Sequence, residues 1–309
     1  MNKTMLCFVL LLFGMLEMRA QQDPLFTQYL YNMQLVNPAY AGSREALTIS
    51  GLTRAQWLGI EGHPESHCLT ANMPLPVPRL ALGVAILQDR IAKTRTQSAQ
   101  LDLATRFQVG KTGSFAFGLK GSGWAFREGL SELFLKQPND PDFVDVMGMP
   151  AIVNVGAGMY YQQPTYYIGL SVPALLETES LNPASLLGLA TQRQRHYFGI
   201  VGKEYRLKDR LLLKATGFGK YTADAPFQFG VTTRFEFHDK FMVGAMLRYR
   251  SAVGLVVGFN FTEQFSFGYS FDYALGFDPS RFNRGSHEFG LRYDFLYRNS
   301  KTTRSPRYF

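Results

Sequence analysis

The chain has 309 residues, 46% of them hydrophobic and 14% aromatic, with 29 glycines, 26 phenylalanines and 16 tyrosines. A net charge of +8 without a basic cluster argues against a nucleic-acid-binding surface and favours anionic lipid head groups or lipopolysaccharide as neighbours. Two cysteines are too few for a disulfide framework, and beyond residue 20 no apolar run reaches the ~18 residues of a membrane helix.

Residues 1–20 have the form of an export signal. Lys3 gives a positive start, Met5–Leu16 is an apolar core too short to span a bilayer, and Ala20 offers a small residue for a cut before Gln21. Cys7 lies inside that core with no lipobox leading to it, so a lipoprotein is not expected. Its removal leaves Cys68 as the only cysteine of the mature chain, read here as an ordinary strand residue.

Residues 21–45 are expected to form a periplasmic or lumenal segment. Phe26, Tyr29, Leu30, Met33 and Val36 fall at helical spacing within Pro24–Tyr40, which predicts a short helix in the lumen or beneath a barrel. Asn37-Pro38-Ala39-Tyr40-Ala41-Gly42 reads as a compact turn, with Pro38 fixing φ and Gly42 permitting a tight bend.

Residues 46–297 alternate apolar and polar positions in fourteen candidate strands. These centre on Ala46–Gln56, Ser66–Leu75, Leu80–Gln88, Thr96–Val109, Ser114–Phe126, Ala151–Gln162 and Thr165–Val172. The series continues with Arg195–Arg206, Arg210–Tyr221, Pro226–Phe237, Lys240–Arg250, Ala252–Phe261, Gln264–Tyr273 and Ser286–Tyr297. In the thirteenth, Phe265, Phe267, Tyr269, Phe271 and Tyr273 share one face, and Ser266, Gly268, Ser270 and Asp272 share the other. A lipid-facing strand lining a wet lumen has this chemistry, and hydropathy averages near zero (−0.09) because every second residue is polar. Arg106, Lys120, Arg234, Arg248 and Arg292 are assigned to the lumen, where salt bridges would plug the barrel or, alternatively, line a channel.

The connections give an independent argument. Pro76–Arg79, Gly110–Gly113, Gln163-Pro164, Leu207–Asp209, His238-Asp239 and Thr262-Glu263 are all four residues or fewer and fall on one side. Arg127–Pro150, Pro173–Gln194 and Ala274–Gly285 fall on the other and are long. Short turns facing the periplasm and long loops facing out mark a transmembrane antiparallel β-barrel of about 14 strands. The leucine-rich stretch Pro173–Leu189 is apolar for an exposed loop and is expected to fold over the mouth or dock a partner, or else to pack on its neighbours. Trp57, just beyond the first strand, is placed as a head-group anchor. Residues 298–309 form a basic tail.

No catalytic motif appears, and the five histidines (His63, His67, His196, His238 and His287) lack metal-motif spacing. Ser286 and His287 are sequence neighbours, so alternation sends them to opposite faces. An enzyme, a metal and a cofactor are therefore not expected.

Five blocks resemble the PorP/SprF family of Bacteroidota outer-membrane proteins: DPLFTQYLYNMQLVNPAYAG (Asp23–Gly42), RAQWLGIEGHP (Arg54–Pro64), NVGAGMYYQQPTYYIGLSVPALL (Asn154–Leu176), FSFGYSFDYALG and GSHEFGLRYDF (Gly285–Phe295). The resemblance singles out Asn37, Pro38, Tyr40, Gly42, Trp57, Gly169, Asp272, His287 and Glu288 as signature positions, structural or partner-binding. It implies an accessory role in type IX secretion. Partners would be components of the secretion machinery and secreted cargo with a C-terminal sorting domain, such as adhesins, with gliding motility served in some species. Outer-membrane lipid would surround the barrel. The competing expectation is an outer-membrane pore or uptake channel for hydrophobic substrates.

Overall fold

Residues 32–128, 152–180, 191–223, 225–275 and 284–295 are described in the computed structural model. The expectations for the export signal, for residues 21–31, for Leu181, Leu186, Leu187 and Leu189, and for the tail lie outside these residues.

Strict alternation produces strands, and the strands close on themselves. The barrel contains β1 (Leu47–Ala55), β2 (Glu65–Pro74), β3 (Leu80–Ile91), β4 (Thr94–Val109), β5 (Gly113–Glu128), β6 (Ile152–Gln163) and β7 (Tyr166–Val172). A small separate hairpin, β8 (Thr178–Ser180) with β9 (Thr191–Arg193), follows β7. The wall resumes with β10 (His196–Lys208), β11 (Leu211–Thr222), β12 (Ala225–Phe237), β13 (Phe241–Arg248), β14 (Ala252–Asn260), β15 (Phe265–Ala274) and β16 (Ser286–Phe295). Each wall strand pairs antiparallel with its neighbours, β7 pairs with β10, and β1 pairs with both β2 and β16. All fourteen wall strands coincide with the fourteen read from the sequence, to within a few residues at their ends. Closure leaves no wall edge unpaired, which a strand crossing lipid requires.

The two faces of the wall have opposite chemistry. On β12 the side chains of Phe227, Phe229, Val231, Phe235 and Phe237 are exposed, while Arg234 and Glu236 are buried. On β15 Ser266, Ser270 and Asp272 are buried in the interior. Large apolar side chains such as Leu119, Val153 and Leu255, each more than 60% exposed, cover the outer surface. That arrangement inverts a soluble barrel and matches a lipid solvent.

At the short-turn end the outer face carries clustered rings. Phe237 lies 6.4 Å from Phe241, Phe261 lies 5.3 Å from Phe265, and Tyr293 lies 4.7 Å from Phe295. These rings form one of the aromatic girdles that sit at a membrane interface. Connections at this end are five residues or fewer throughout.

Of the helical segment expected before the wall, residues 24–31 lie outside the described residues, and the described part is helical only as 3-10 turns, Met33–Leu35 and Pro38–Tyr40. Pro38 explains the break: its ring disfavours helical backbone at Asn37, which adopts φ −131° and ψ 107°. The Asn37 side chain then accepts from the Ala39 N–H at 3.0 Å and caps the second turn.

Candidate functional site

A chain segment before β1 runs through the barrel interior, and the wall is built to receive it. Residues 32–43 are all buried, polar ones included: Asn32, Gln34 and Asn37 expose 3% or less. Their satisfaction therefore depends on partners from the wall.

Gln34 sits between β2, β3 and β4. Its Nε2 donates to Asp102 Oδ2 at 3.0 Å and to the Val84 carbonyl at 3.2 Å, and its Oε1 accepts from Asn72 Nδ2 at 3.0 Å. Lys120 on β5 completes the centre. Its ammonium donates to the carbonyls of Gln34 and Leu35 at 3.1 and 3.2 Å, and lies 3.3 Å from Asp102. Asp102 and Lys120 are both fully desolvated, so each depends on the other. Arg106, on β4, donates to the Ala41 carbonyl at 3.2 Å and to Ser114 Oγ at 3.1 Å.

Asn37 docks against β6 and β7. Its Nδ2 donates to the Met159 carbonyl at 2.9 Å. Gly158 and Gly169, adjacent on the interior face, leave room for the amide, since a Cβ at either position would collide with it. A Cβ on Gly118 would strike the backbone of Pro38 and Ala39 in the same way. Here glycine serves close approach of two backbones, not a special φ. Beside Asn37, Met33, Ala39 and Tyr40 pack with Tyr160, Tyr167 and Ile200, the Tyr40 and Tyr160 rings meeting edge-on at 5.6 Å. Leu35 and Val36 pack with Leu52, Cys68, Ala85 and Phe198.

Where the segment reaches the short-turn end, Arg44 forms a two-pronged pair with Asp294 of β16, at 3.0 and 2.6 Å, and Thr48 Oγ1 donates to the same carboxylate at 2.7 Å. Burial opposes the Arg44 charge, but the Asp294 carboxylate outweighs it and holds the guanidinium pKa above its ordinary value. Gly42, at φ +69°, turns the chain toward β1 while its N–H donates to Asn72 Oδ1 at 3.1 Å.

A second buried centre lies nearer the loop end. Arg54 of β1 donates to both oxygens of Asp272 on β15, at 2.8 and 2.9 Å, and to Glu288 of β16 at 3.2 Å. Its three members come from strands flanking the closure of the barrel, so the triad fixes the seam. On the wall facing the segment, Lys214 of β11 lies 2.6 Å from Glu236 of β12 and 3.9 Å from Glu204 of β10. Among the described residues no group of carboxylates, histidines and cysteines is arranged to hold a metal.

The signature positions thus fall into separate places. Asn37, Pro38, Tyr40 and Gly42 belong to the lumenal segment, Gly169 forms part of its seat, and Asp272 and Glu288 belong to the Arg54 triad. His287 is on the outer face instead, where its Nδ1 lies 2.8 Å from the Tyr269 hydroxyl, while Ser286 is buried inside. Trp57 lies past the end of β1 with 41% of its surface exposed and a positive φ of 53°. Of the charges assigned to the lumen, Arg106 and Lys120 hold the segment, Arg292 lies 3.9 Å from Asp294, and Arg234 is buried. Arg44, Arg54, Gln34, Asp102 and Asp294 were not singled out from the sequence. Their signal was a charged or amide side chain at an inward or pre-strand position, which does not by itself name a partner.

At the mouth, the chain after β7 turns inward over β6. Asn154 holds Leu176 by a pair of bonds, donating to its carbonyl at 2.6 Å and accepting from its N–H at 3.0 Å. Gly156 faces the Pro173 backbone too closely for any side chain.

Comparison with known proteins agrees with this architecture. The fold is similar to the CymD monoaromatic hydrocarbon channel (TM-score 0.53, 10% identity, 86% of this chain and 99% of that one). It is similar also to the TodX deltaS2S3 mutant monoaromatic hydrocarbon channel (TM-score 0.52, 9% identity, 86% and 94%). Omp33, an outer membrane protein of Acinetobacter baumannii, aligns at a TM-score of 0.45 with 10% identity, over 83% of this chain and 100% of that one. No curated protein matches the sequence. The model of the type IX secretion system membrane protein PorP/SprF matches residues 18–293, nearly the whole chain. The chain is an outer-membrane β-barrel and belongs to the PorP/SprF family of type IX secretion system membrane proteins.

Proposed function

We propose that this barrel acts by binding: it associates with the type IX secretion machinery and supports the export or surface anchoring of cargo proteins that carry a C-terminal sorting domain. The observation that carries this reading is the lumenal segment. A transport pathway needs a lumen able to pass its substrate, whereas here Asn37, Gln34 and Arg44 commit the interior to hydrogen bonds with the wall. A barrel filled by its own chain has its ends left for function. The short turns face the periplasmic components, and the long loops face cargo outside. Asn37, Pro38, Tyr40, Gly42 and Gly169 act structurally in this scheme, by seating the segment, and Asp272 and Glu288 act by holding Arg54. His287 is on the outer face and Trp57 is exposed beyond the end of β1, and in this scheme they meet lipid or a partner.

The test is a gentle-detergent pull-down of the tagged full chain from its native outer membrane, with co-purified proteins identified by mass spectrometry. Secretion components or a sorting-domain protein are the expected partners. A barrel recovered alone that also conducts ions would favour a pore.

A further inference from the structure

Four charged residues lie side by side on the outer wall at the loop end. In register, Glu65 of β2 opposes Arg90 of β3, Arg90 opposes Arg95 of β4, and Arg95 opposes Arg127 of β5. Directly opposed side chains share a face, and these share the outward one. Arg90 is matched by Glu65 at 2.9 Å. Arg95 and Arg127 are exposed, and no ion pair joins either to another described residue. Like charges directly opposed across a sheet repel, so this row invites an external anion.

What lies beneath the row defines that anion. The next outward positions are Gln88 and Gln97, which are directly opposed, and after them the surface turns apolar, with Ile86, Leu101 and Val153 all strongly exposed. Below Arg127 the same face of β5 carries only small residues, Ala125, Gly123 and Gly121. A Cβ on Gly121 would meet nothing within 4 Å, and one on Gly123 would touch a single carbonyl at 4.0 Å. The two glycines floor a furrow between Leu101 on β4 and Val153 and Val155 on β6, their cross-strand neighbours. A furrow of small residues in the hydrocarbon band, headed by arginines, is shaped for an acyl chain beneath a phosphate.

We propose that the outer face of β3, β4 and β5 is a binding site for a phosphorylated, acylated glycolipid of the lipid A type, in the outer leaflet of the outer membrane. The arginine row spans two strand spacings, about 10 Å, which suits a head group with more than one phosphate better than a single phosphodiester. Guanidinium groups pair with phosphate oxygens through two parallel hydrogen bonds, and the glutamines add amide donors below them. The site depends on the outer-membrane location and on the loops facing outward, and is independent of the secretion role.

The test titrates the full-chain protein in detergent with bisphosphorylated lipid A, with the same lipid stripped of its phosphates, and with phosphatidylglycerol, by native mass spectrometry. Lipid A binds the unaltered barrel. Loss of the phosphates, or the pair Arg95→Gln and Arg127→Gln, is expected to weaken binding by about tenfold or more, since each removes charge-assisted hydrogen bonds. Gly123→Leu fills the furrow without touching a charge and is expected to weaken binding by about threefold, the scale of a displaced chain segment. Folding of each variant is checked by its heat-dependent gel mobility. Equal binding of lipid A by the double glutamine variant overturns the site. So does phosphatidylglycerol binding as tightly as lipid A, which would reduce the row to general attraction for anions.

Discussion

Arg44 and Asp294 stand 250 positions apart in the chain and meet inside the barrel, two nitrogens of one facing two oxygens of the other at 3.0 and 2.6 Å. The pair joins the lumenal segment to the last wall strand. Asp294→Ala would leave a buried guanidinium without its carboxylate, a loss of about 3–5 kcal/mol for a buried pair. The segment can escape that cost by leaving its seat while the wall stays closed. The expected result is faster amide exchange over residues 32–45, with the exchange of β1 to β16 little changed.

The glycine seat offers a steric test of the same contact. Gly158→Val and Gly118→Leu each put side-chain atoms where the Asn37 amide or the Pro38–Ala39 backbone lies. At Gly118 the obstacle is backbone, which cannot swing aside. At Gly158 it is the Asn37 amide, which can turn away only by breaking its bonds to the Met159 carbonyl and the Ala39 N–H, so in both variants the segment is displaced. Added protease should then cut within residues 32–45 of the folded variants and leave the same residues of the unaltered barrel intact.

Cys68 reports on the same event. It is buried on the inner face, and Asn32 Nδ2 donates to its sulfur at 3.5 Å. Buried thiols are inert to alkylation. A maleimide reagent should leave Cys68 unmodified in the folded barrel and modify it after unfolding. The Gly158→Val variant should react while folded, at least about tenfold faster than the unaltered protein, as expected for a buried thiol made accessible.

Lys120 and Asp102 form a test of a different kind. Lys120→Met strands the Asp102 carboxylate, which is fully buried, and is expected to destabilise by about 3–5 kcal/mol. Lys120→Met combined with Asp102→Leu removes both charges and should recover much of that loss. Urea unfolding in a detergent or lipid host measures both. Equal destabilisation by the single and double variants would mean that Lys120 matters through its bonds to the Gln34 and Leu35 carbonyls instead.

The lipid-facing assignment predicts its own asymmetry. Leu119 points outward with 65% of its surface exposed, and in water an arginine there would cost little. In a bilayer, Leu119→Arg is expected to destabilise by about 2–4 kcal/mol near the midplane. The same change at the rim, as at the exposed Tyr249, should cost about 0–1 kcal/mol.

The wall was legible in the sequence because its signal is local. Alternation along Phe265–Ala274 names both faces of β15 without any partner, and short turns such as Gln163-Pro164 fix where pairing begins. Contents of the lumen were harder to read because they depend on which inward side chains meet across the barrel. Arg54 and Asp272 occupy inward positions that alternation identifies, but their meeting depends on how β1 closes against β16 and β15. The spacing of Met33 and Val36 suggested a helix, and their burial matches an apolar face. Pro38 and the wall contacts of Gln34 and Asn37 favoured 3-10 turns instead. Hairpin β8–β9 is three residues on each side, below what a periodic signal can mark.

The most direct measurement is conductance of the purified full chain in a planar bilayer. A barrel filled by residues 32–44 should insert and stay closed, and Gly158→Val should open it to steady, ohmic current. Stable open-channel current from the unaltered protein, unchanged by Gly158→Val, would contradict a filled lumen and with it the proposal that this barrel works by binding alone.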